Sequence, residues 1–353
     1  MTFHENSYLS WYIPRMLGGR DAINLHSSGV PPLNPKNFCL ALDDTWGLSA
    51  RFESAVINWL GIPAGELIFT PGATGGTLLA LLTLVDSHQG VLVESPIYEP
   101  MLRQTRRLAQ VRRLIRSPEN GWRLPLDQAR ELMNDGTAMV MLTEPHNPSG
   151  VFSPRDDVME LAAIATEYGA TLLINEVYRG FTERPSYHGA AANIVIVNSL
   201  SKLFGTYWMR LGWLSAPEGI ATKLRHGHTN MGMPTAPAAG LGISVMEKAA
   251  ELQESARDTS RKGFPVVNAW VERTDGVSWH APQGIGFGCI TIPGGIDDVV
   301  FAEYLFAKKQ VLLVPGTKFE VPGTLRISWL QSGDRLEEGL QRLSEGLKQP
   351  PRE

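Results

Sequence analysis

Ile194-Val195-Ile196-Val197-Asn198-Ser199-Leu200-Ser201-Lys202, with Arg210 eight residues after the lysine and Gly212-Trp213 beyond it, is the stretch on which the reading of this chain turns. The four β-branched residues read as a strand that carries the lysine segment into a protein interior. A lysine held there becomes a nucleophilic amine, because burial and cationic neighbours disfavour its charged form. The small hydroxyl residues before it and the arginine after it supply short donors and a planar charged fork, which suits a phosphate monoester. An imine-forming lysine beside a phosphate anchor is the chemical outline of pyridoxal phosphate attachment. The ordinary alternative is a solvated lysine at a strand end, so the remainder of the chain has to decide.

Working outward, short apolar runs alternate with helical stretches between about residues 65 and 215. The strand candidates are 67–70, 91–94, 111–115, 138–143, 171–175, 194–198 and 211–215. Most are continuous hydrophobic runs, as expected of strands buried on both faces of a parallel sheet. The segment 153–168 between two of them has helical spacing, and the alternation predicts a doubly wound α/β domain with a mostly parallel seven-stranded sheet. After about residue 250 the pattern changes. A charged helical stretch over 245–262 leads to strand candidates 277–280, 286–292, 311–314 and 324–328, and an amphipathic helix over 335–348 closes the chain. This predicts a smaller α+β domain. The expected organisation is an arm with part of the small domain over 1–40, the large domain over 41–254 and the small domain over 255–353. The arm is rich in Pro and Gly, lacks periodicity and reads as a segment that packs onto something else.

Composition excludes several function classes. Of 353 residues, 43% are hydrophobic and 19% charged, as in ordinary globular proteins. A formal net charge of −4 gives no basic field for nucleic acid or a membrane surface. The two cysteines, Cys39 and Cys289, are too few for a disulfide framework or a metal site. None of the eight histidines has metal-ligand spacing; His226 and His228 would share a face if extended, with nothing nearby to complete a site. No charged-then-apolar leader opens the sequence, and the apolar run 77–85 is too short to span a bilayer. The expectation is a soluble cytoplasmic protein.

Ligands of open α/β sheets sit beyond the carboxyl ends of the strands, so residues there have the strongest claim to function. The strand at 67–70 runs into Pro71-Gly72-Ala73-Thr74-Gly75-Gly76, a loop and helix start whose free amides favour an anion, or else simply a tight turn. Tyr98 follows the next strand and can stack on a flat ring or belong to the core. Asn147, held between Pro145 and Pro148, could hydrogen-bond a phenolic oxygen or serve a turn. Asn175 ends the strand that leads to Tyr178. Arg326 lies in a strand of the small domain, where burial demands a partner, either a substrate carboxylate or a structural one.

Taken together, in this order and at these spacings, the motifs from about Asn24 to Ser328 resemble the class I/II aminotransferases of the fold type I pyridoxal phosphate enzymes. The resemblance implies an enzyme that exchanges the amino group between an L-amino acid and a 2-oxo acid, with pyridoxal 5'-phosphate as cofactor. It implies that Lys202 carries the imine link to the cofactor and then serves as general base. Ser199, Arg210, Ala73 and Thr74 would hold the phosphate, Tyr98 would stack on the ring, and Asn147 and Tyr178 would bond its 3-hydroxyl. Arg326 would clamp the substrate α-carboxylate, with Gly29 lining the same pocket. A homodimer, whose sites borrow residues from the neighbouring subunit, is implied as well. The side-chain pocket would be built from the arm, Trp46, Tyr98 and Tyr207-Trp208.

The chain departs from that pattern twice. The family has an aspartate where Asn175 stands, pairing with the protonated ring nitrogen; asparagine predicts a weaker electron sink. Glu176 should not substitute, because adjacent strand residues face opposite ways. The tyrosine expected across the dimer interface is not evident, and Trp46 stands in that region. Asn175 therefore keeps a second reading open, an enzyme of β-elimination, β-replacement or cyclisation. The segment 25–30 also resembles the start of capreomycidine synthase, a cyclising member of the superfamily. A third reading is a catalytically silent cofactor-binding protein, against which the presence of both Lys202 and Arg326 argues.

Overall fold

The computed structural model describes residues 7–19, 21–37, 47–230, 235–331 and 333–351. Seven strands build the large sheet: β1 (Leu67–Pro71), β2 (Gly90–Ser95), β3 (Gln110–Ile115), β4 (Thr137–Thr143), β5 (Thr171–Asn175), β6 (Ile194–Ser199) and β7 (Leu211–Ser215). Their order across the sheet is β1-β7-β6-β5-β4-β2-β3. All pairings are parallel except those of β7, which runs antiparallel to both of its neighbours.

The apolar runs behave as expected of a sheet covered on both faces. In β4, Met139 and Met141 join one core with Leu173, Val195, Val197 and residues 79–81 of the helix Gly72–Leu84. Val140 and Leu142 point the other way, into a core with Leu172, Ile174 and the helix Arg155–Glu167. This alternation decides function at the strand ends. Asn175 shares the face of Leu173, and Ser199 shares the face of Val197, so both look toward the side on which that first helix begins. Glu176 turns away, where Arg179 Nε at 2.9 Å and Ser186 Oγ at 2.8 Å satisfy it.

A four-stranded antiparallel sheet lies in the C-terminal part: β8 (Ser278–Trp279), β9 (Phe287–Thr291), β10 (Val314–Pro315) and β11 (Thr324–Ser328), ordered β10-β11-β9-β8. Its core takes in Trp270, Phe301, Trp329 and Leu340, together with Tyr8 and Trp11 of the arm. The final helix, Gly333–Lys348, buries Leu336, Leu340 and Leu343 on that core.

Four sequence expectations are corrected. The arm is not irregular: Ser7–Gly18 is a helix that buries Tyr8 and Trp11, a stripe one turn long and too short to show as periodicity. The charged stretch 245–262 belongs to two helices, Ala236–Met246 and Ala249–Arg273, parted at Glu247-Lys248. The strand expected over 311–314 is divided. Val311–Leu312 pairs in parallel with Ile23–Asn24, while Val314–Pro315 joins the antiparallel sheet. His226 and His228 lie in the helix Glu218–His228, where a spacing of two does not place them on one face. Cys39 and Trp46 lie outside the described residues, and Cys289 is a buried free thiol.

A charged cluster is sealed under the sheet ends. Arg116 has no exposed side-chain surface and bonds Glu94 Oε2 at 3.0 Å, the Trp122 carbonyl at 2.7 Å and Ser153 Oγ at 3.2 Å. Ser153 donates in turn to both oxygens of Glu144, at 2.8 and 2.9 Å. One carboxyl thus pairs with the guanidinium directly and the second is linked to it through Ser153. Burial pushes Glu94 up to about 7, against the pull of Arg116, and pushes Glu144, which lacks direct contact with the arginine, up to about 8. Carboxyls raised in the folded state lend stability that is complete below their ordinary pKa and is lost as pH rises through the raised values. Thermal melts should show Glu144→Gln folding normally with a weaker loss of Tm between mildly acidic and mildly alkaline pH. Arg116→Met should cost about 3–5 kcal/mol, because it leaves a buried carboxylate unpaired.

Candidate active site

The carboxyl ends of the large sheet open into a cavity of about 130 Å³, and beneath the arm this cavity adjoins a cleft of about 750 Å³. Lys202, Ala73, Thr74, Tyr98, Asn147, Asn175, Tyr178, Ser199, Arg210 and Arg326 all line the cavity, and Gly29 lines the cleft. The residues that sequence reading assigned to the cofactor and to the substrate carboxylate are therefore brought to one place.

Lys202 lies three residues beyond β6, in the turn before Arg210. Burial, reinforced by the charges of Arg326 and Arg210, brings its amine down to about 8. The lysine turn is gripped by the arm: the Val30 amide donates to the Lys202 carbonyl at 3.0 Å. A Cβ on Gly29 would lie 2.8 Å from that carbonyl oxygen and 2.9 Å from the Lys202 Cα, so glycine is required there for close approach.

An anion-binding corner faces the lysine. Helix Gly72–Leu84 starts with no side-chain cap, leaving the amides of its first turn free. Arg210, in a left-handed conformation with φ 55°, donates from Nη2 to the Pro71 carbonyl at 3.3 Å. Its guanidinium occupies space that a side chain at position 72 would fill, with Nη2 2.7 Å from where a Cβ would sit. Ser199 and Ser201 complete this corner of the cavity.

Arg326 is held in β11 between Cys289 and Val314. Its Nη1 donates to Asn147 Oδ1 at 3.0 Å, and its Nη2 donates to the His26 carbonyl at 2.9 Å and the Tyr8 hydroxyl at 3.3 Å. The rings of Phe319 and Phe287 lie 5.0 and 5.7 Å from the guanidinium carbon. Among the described residues no carboxylate pairs with it, which leaves a buried cation directed at the cavity. Asn147 spends its oxygen on this arginine and keeps its NH2 for the cavity. The Tyr178 hydroxyl meets Ser28 Oγ at 3.0 Å, and burial raises its pKa.

Sequence reasoning did not single out Tyr8, Tyr12, Ser28, Met101 or Thr143 as site residues, and these also line the cavity, as does Ser201 of the lysine motif. Tyr8 and Tyr12 stack at 5.3 Å, and Tyr8 meets Tyr98 edge-on at 5.6 Å. Tyr207 lines both cavity and cleft as expected, whereas Trp208 packs against the core beside it. Among the described residues no cluster of three or more metal-ligating side chains exists, and no helix is long and apolar enough to cross a membrane.

The donor set fits pyridoxal phosphate: an anion corner for the phosphate, an aromatic ring, amide and phenol groups, and a lysine of lowered pKa around one cavity. Comparison with known proteins leads to the same class. The family model "Aminotransferase class I and II" matches residues 44–343. The chain is 26% identical to an aspartate aminotransferase of Pyrococcus horikoshii, over 87% of this chain and 85% of that one. It is also 26% identical to aromatic-amino-acid aminotransferase 2 of Thermococcus litoralis, over 81% and 77%. A solved PLP-dependent aminotransferase from Streptococcus suis superposes with a TM-score of 0.89 at 25% identity, covering 100% of both chains.

The chain belongs to the class I and II aminotransferase family. It is a pyridoxal-phosphate-dependent aminotransferase, with the α/β architecture of those enzymes. Because the Lys202 amine is the group that must lose its proton to react, the apo-enzyme should take up pyridoxal phosphate faster as pH rises through about 8. Stopped-flow absorbance checks this, with Lys202→Ala as the blank.

Proposed function

We propose that the cavity performs amino transfer with the roles the resemblance implies, and that the meeting of Lys202 with the carboxylate-free Arg326 carries this reading. Arg210, Ser199 and the first-turn amides of Ala73 and Thr74 hold the phosphate. Tyr98 covers the ring, and Asn147 and Tyr178 bond its hydroxyl. When bound, pyridoxal phosphate accepts the amino group of the amino acid, and its ring takes up electrons as the α-proton leaves. Lys202 Nζ takes that proton and returns it, a task suited to an amine whose pKa lies near neutrality. Arg326 orients the substrate through its carboxylate, and Asn147 and Tyr8 fix the fork from behind.

The substrate side chain enters the cleft below the arm, whose wall includes Leu9, Tyr12, Ile13 and Met16. His26 stands in the same wall. Burial, together with Arg326 and Lys202, lowers its pKa to about 3 and keeps it uncharged. A wall of this kind favours neutral and aromatic side chains over acidic ones. A homodimer in the cytoplasm completes the proposal. Exposed Ile13 and Leu17, neighbours on the arm helix, support it, because cover by a second subunit would remove both from water.

Mixing the enzyme with an amino-acid panel and identifying products by mass spectrometry tests the reading. The expected result is a 2-oxo acid from phenylalanine or tyrosine, faster than from aspartate. Eliminated or cyclised products without a 2-oxo acid would overturn it. Arg326→Lys loses the two-pronged carboxylate contact and should lower kcat/KM by roughly 10- to 100-fold, the weight of a hydrogen bond to a charged group. Asn175→Asp should raise the rate of α-proton removal by about 10-fold or more, equivalent to about 1.4 kcal/mol in the barrier. An unchanged rate in single-turnover absorbance would show that Asn175 does not limit the reaction.

A further inference from the structure

The Asn175 amide has its orientation fixed. Its Oδ1 accepts the Val177 amide N–H at 3.2 Å, which places the carbonyl side of the group against the backbone. The NH2 side is therefore turned toward Met101, whose Sδ lies 3.3 Å from Nδ2 and is a weak acceptor. At this wall of the cavity the chain offers a donor still in want of a good acceptor. Thr143, the cross-strand neighbour of Asn175, brings a buried hydroxyl to the same wall, and it can donate or accept.

The charges point the same way. The charged residues lining the cavity, Lys202, Arg210 and Arg326, are all cations. The buried carboxyls at neighbouring strand ends are spent elsewhere: Glu94 on Arg116, Glu144 on Ser153 and Glu176 on Arg179. A proton on the cofactor ring nitrogen would set an N–H against the amide NH2, leaving buried donors without acceptors. It would also add positive charge to a cavity in which Arg326, bonded only to dipoles, is left uncompensated.

Resting on the cofactor roles proposed above, we infer that this enzyme holds the ring nitrogen of pyridoxal phosphate unprotonated, as the acceptor of a hydrogen bond from Asn175 Nδ2. The uncharged ring draws electrons from the substrate α-carbon less strongly, so proton removal depends more heavily on Lys202 as base. Asn175 then selects the charge state of the cofactor as well as its position.

NMR of the holoenzyme reconstituted with pyridoxal phosphate carrying ¹⁵N in the ring tests the inference without reference to turnover. The expected ring resonance is that of a hydrogen-bonded, unprotonated pyridine, constant across the pH range in which the enzyme is folded. Asn175→Asp should shift it to the pyridinium position. A pyridinium resonance in the unaltered enzyme overturns the inference and leaves the cofactor roles standing. An unprotonated resonance that stays in place in Asn175→Asp overturns the part assigned to Asn175. Failure of the enzyme to retain the labelled cofactor overturns the roles and the inference together. The unaltered enzyme decides the protonation state even if the variant does not fold.

Discussion

The guanidinium of Arg326 is buried, and its bonds to the protein go to dipoles: an amide oxygen of the large sheet's loop, a backbone carbonyl of the arm, and a phenol of the arm helix. Hydrogen bonds engage both terminal nitrogens without neutralising the charge, and Nε is buried with no hydrogen-bond partner among the described residues. That arrangement leaves the cavity electropositive. It also joins three parts of the chain, β11, the arm and the loop after β4, at a single side chain. The lowered pKa of Lys202 and the neutrality of His26 both owe part of their value to this charge.

The two faces of the large sheet divide the labour. Side chains on the face of the helix Gly72–Leu84 arrive at the strand ends as Asn175 and Ser199, uncharged groups that line the cavity. Glu94, Glu144 and Glu176 collect acidic charge away from the cavity and neutralise or hold it there with Arg116, Ser153 and Arg179. Because the strand repeat is two residues, one position separates a cavity-facing amide at 175 from a structural carboxylate at 176. The chain has kept the acid on the structural side and placed an amide where a carboxylate would have balanced a ring cation.

Most strands of the large sheet were legible because strands buried on both faces are continuous apolar runs, and their ends marked the loops that carry Tyr98, Asn147, Tyr178 and Lys202. The arm was not. Its helix shows only Tyr8 and Trp11 as a buried stripe and includes Pro14, so no repeat could reveal it, and Tyr8 and Tyr12 stayed unrecognised as cavity walls. The Glu94–Arg116–Glu144 cluster was equally hidden, because its members come from separated segments and none stands in a recognisable spacing. Thr143 was read as the end of a strand, but a threonine there carries no mark that separates an idle hydroxyl from one facing a ligand.

The contact between Gly29-Val30 and the backbone of Lys202 bears on the order in which the site is assembled. Residues so far apart in the chain meet only after a large loop has closed, at an entropic cost that grows with its length. The sheet can place the lysine beside the anion corner first, with the cleft still broad. Docking of the arm then roofs the lysine turn and brings Tyr8 and the His26 carbonyl to Arg326. With the arm in place the lysine turn is roofed, and the cleft beneath the arm is the opening that leads to the reactive amine.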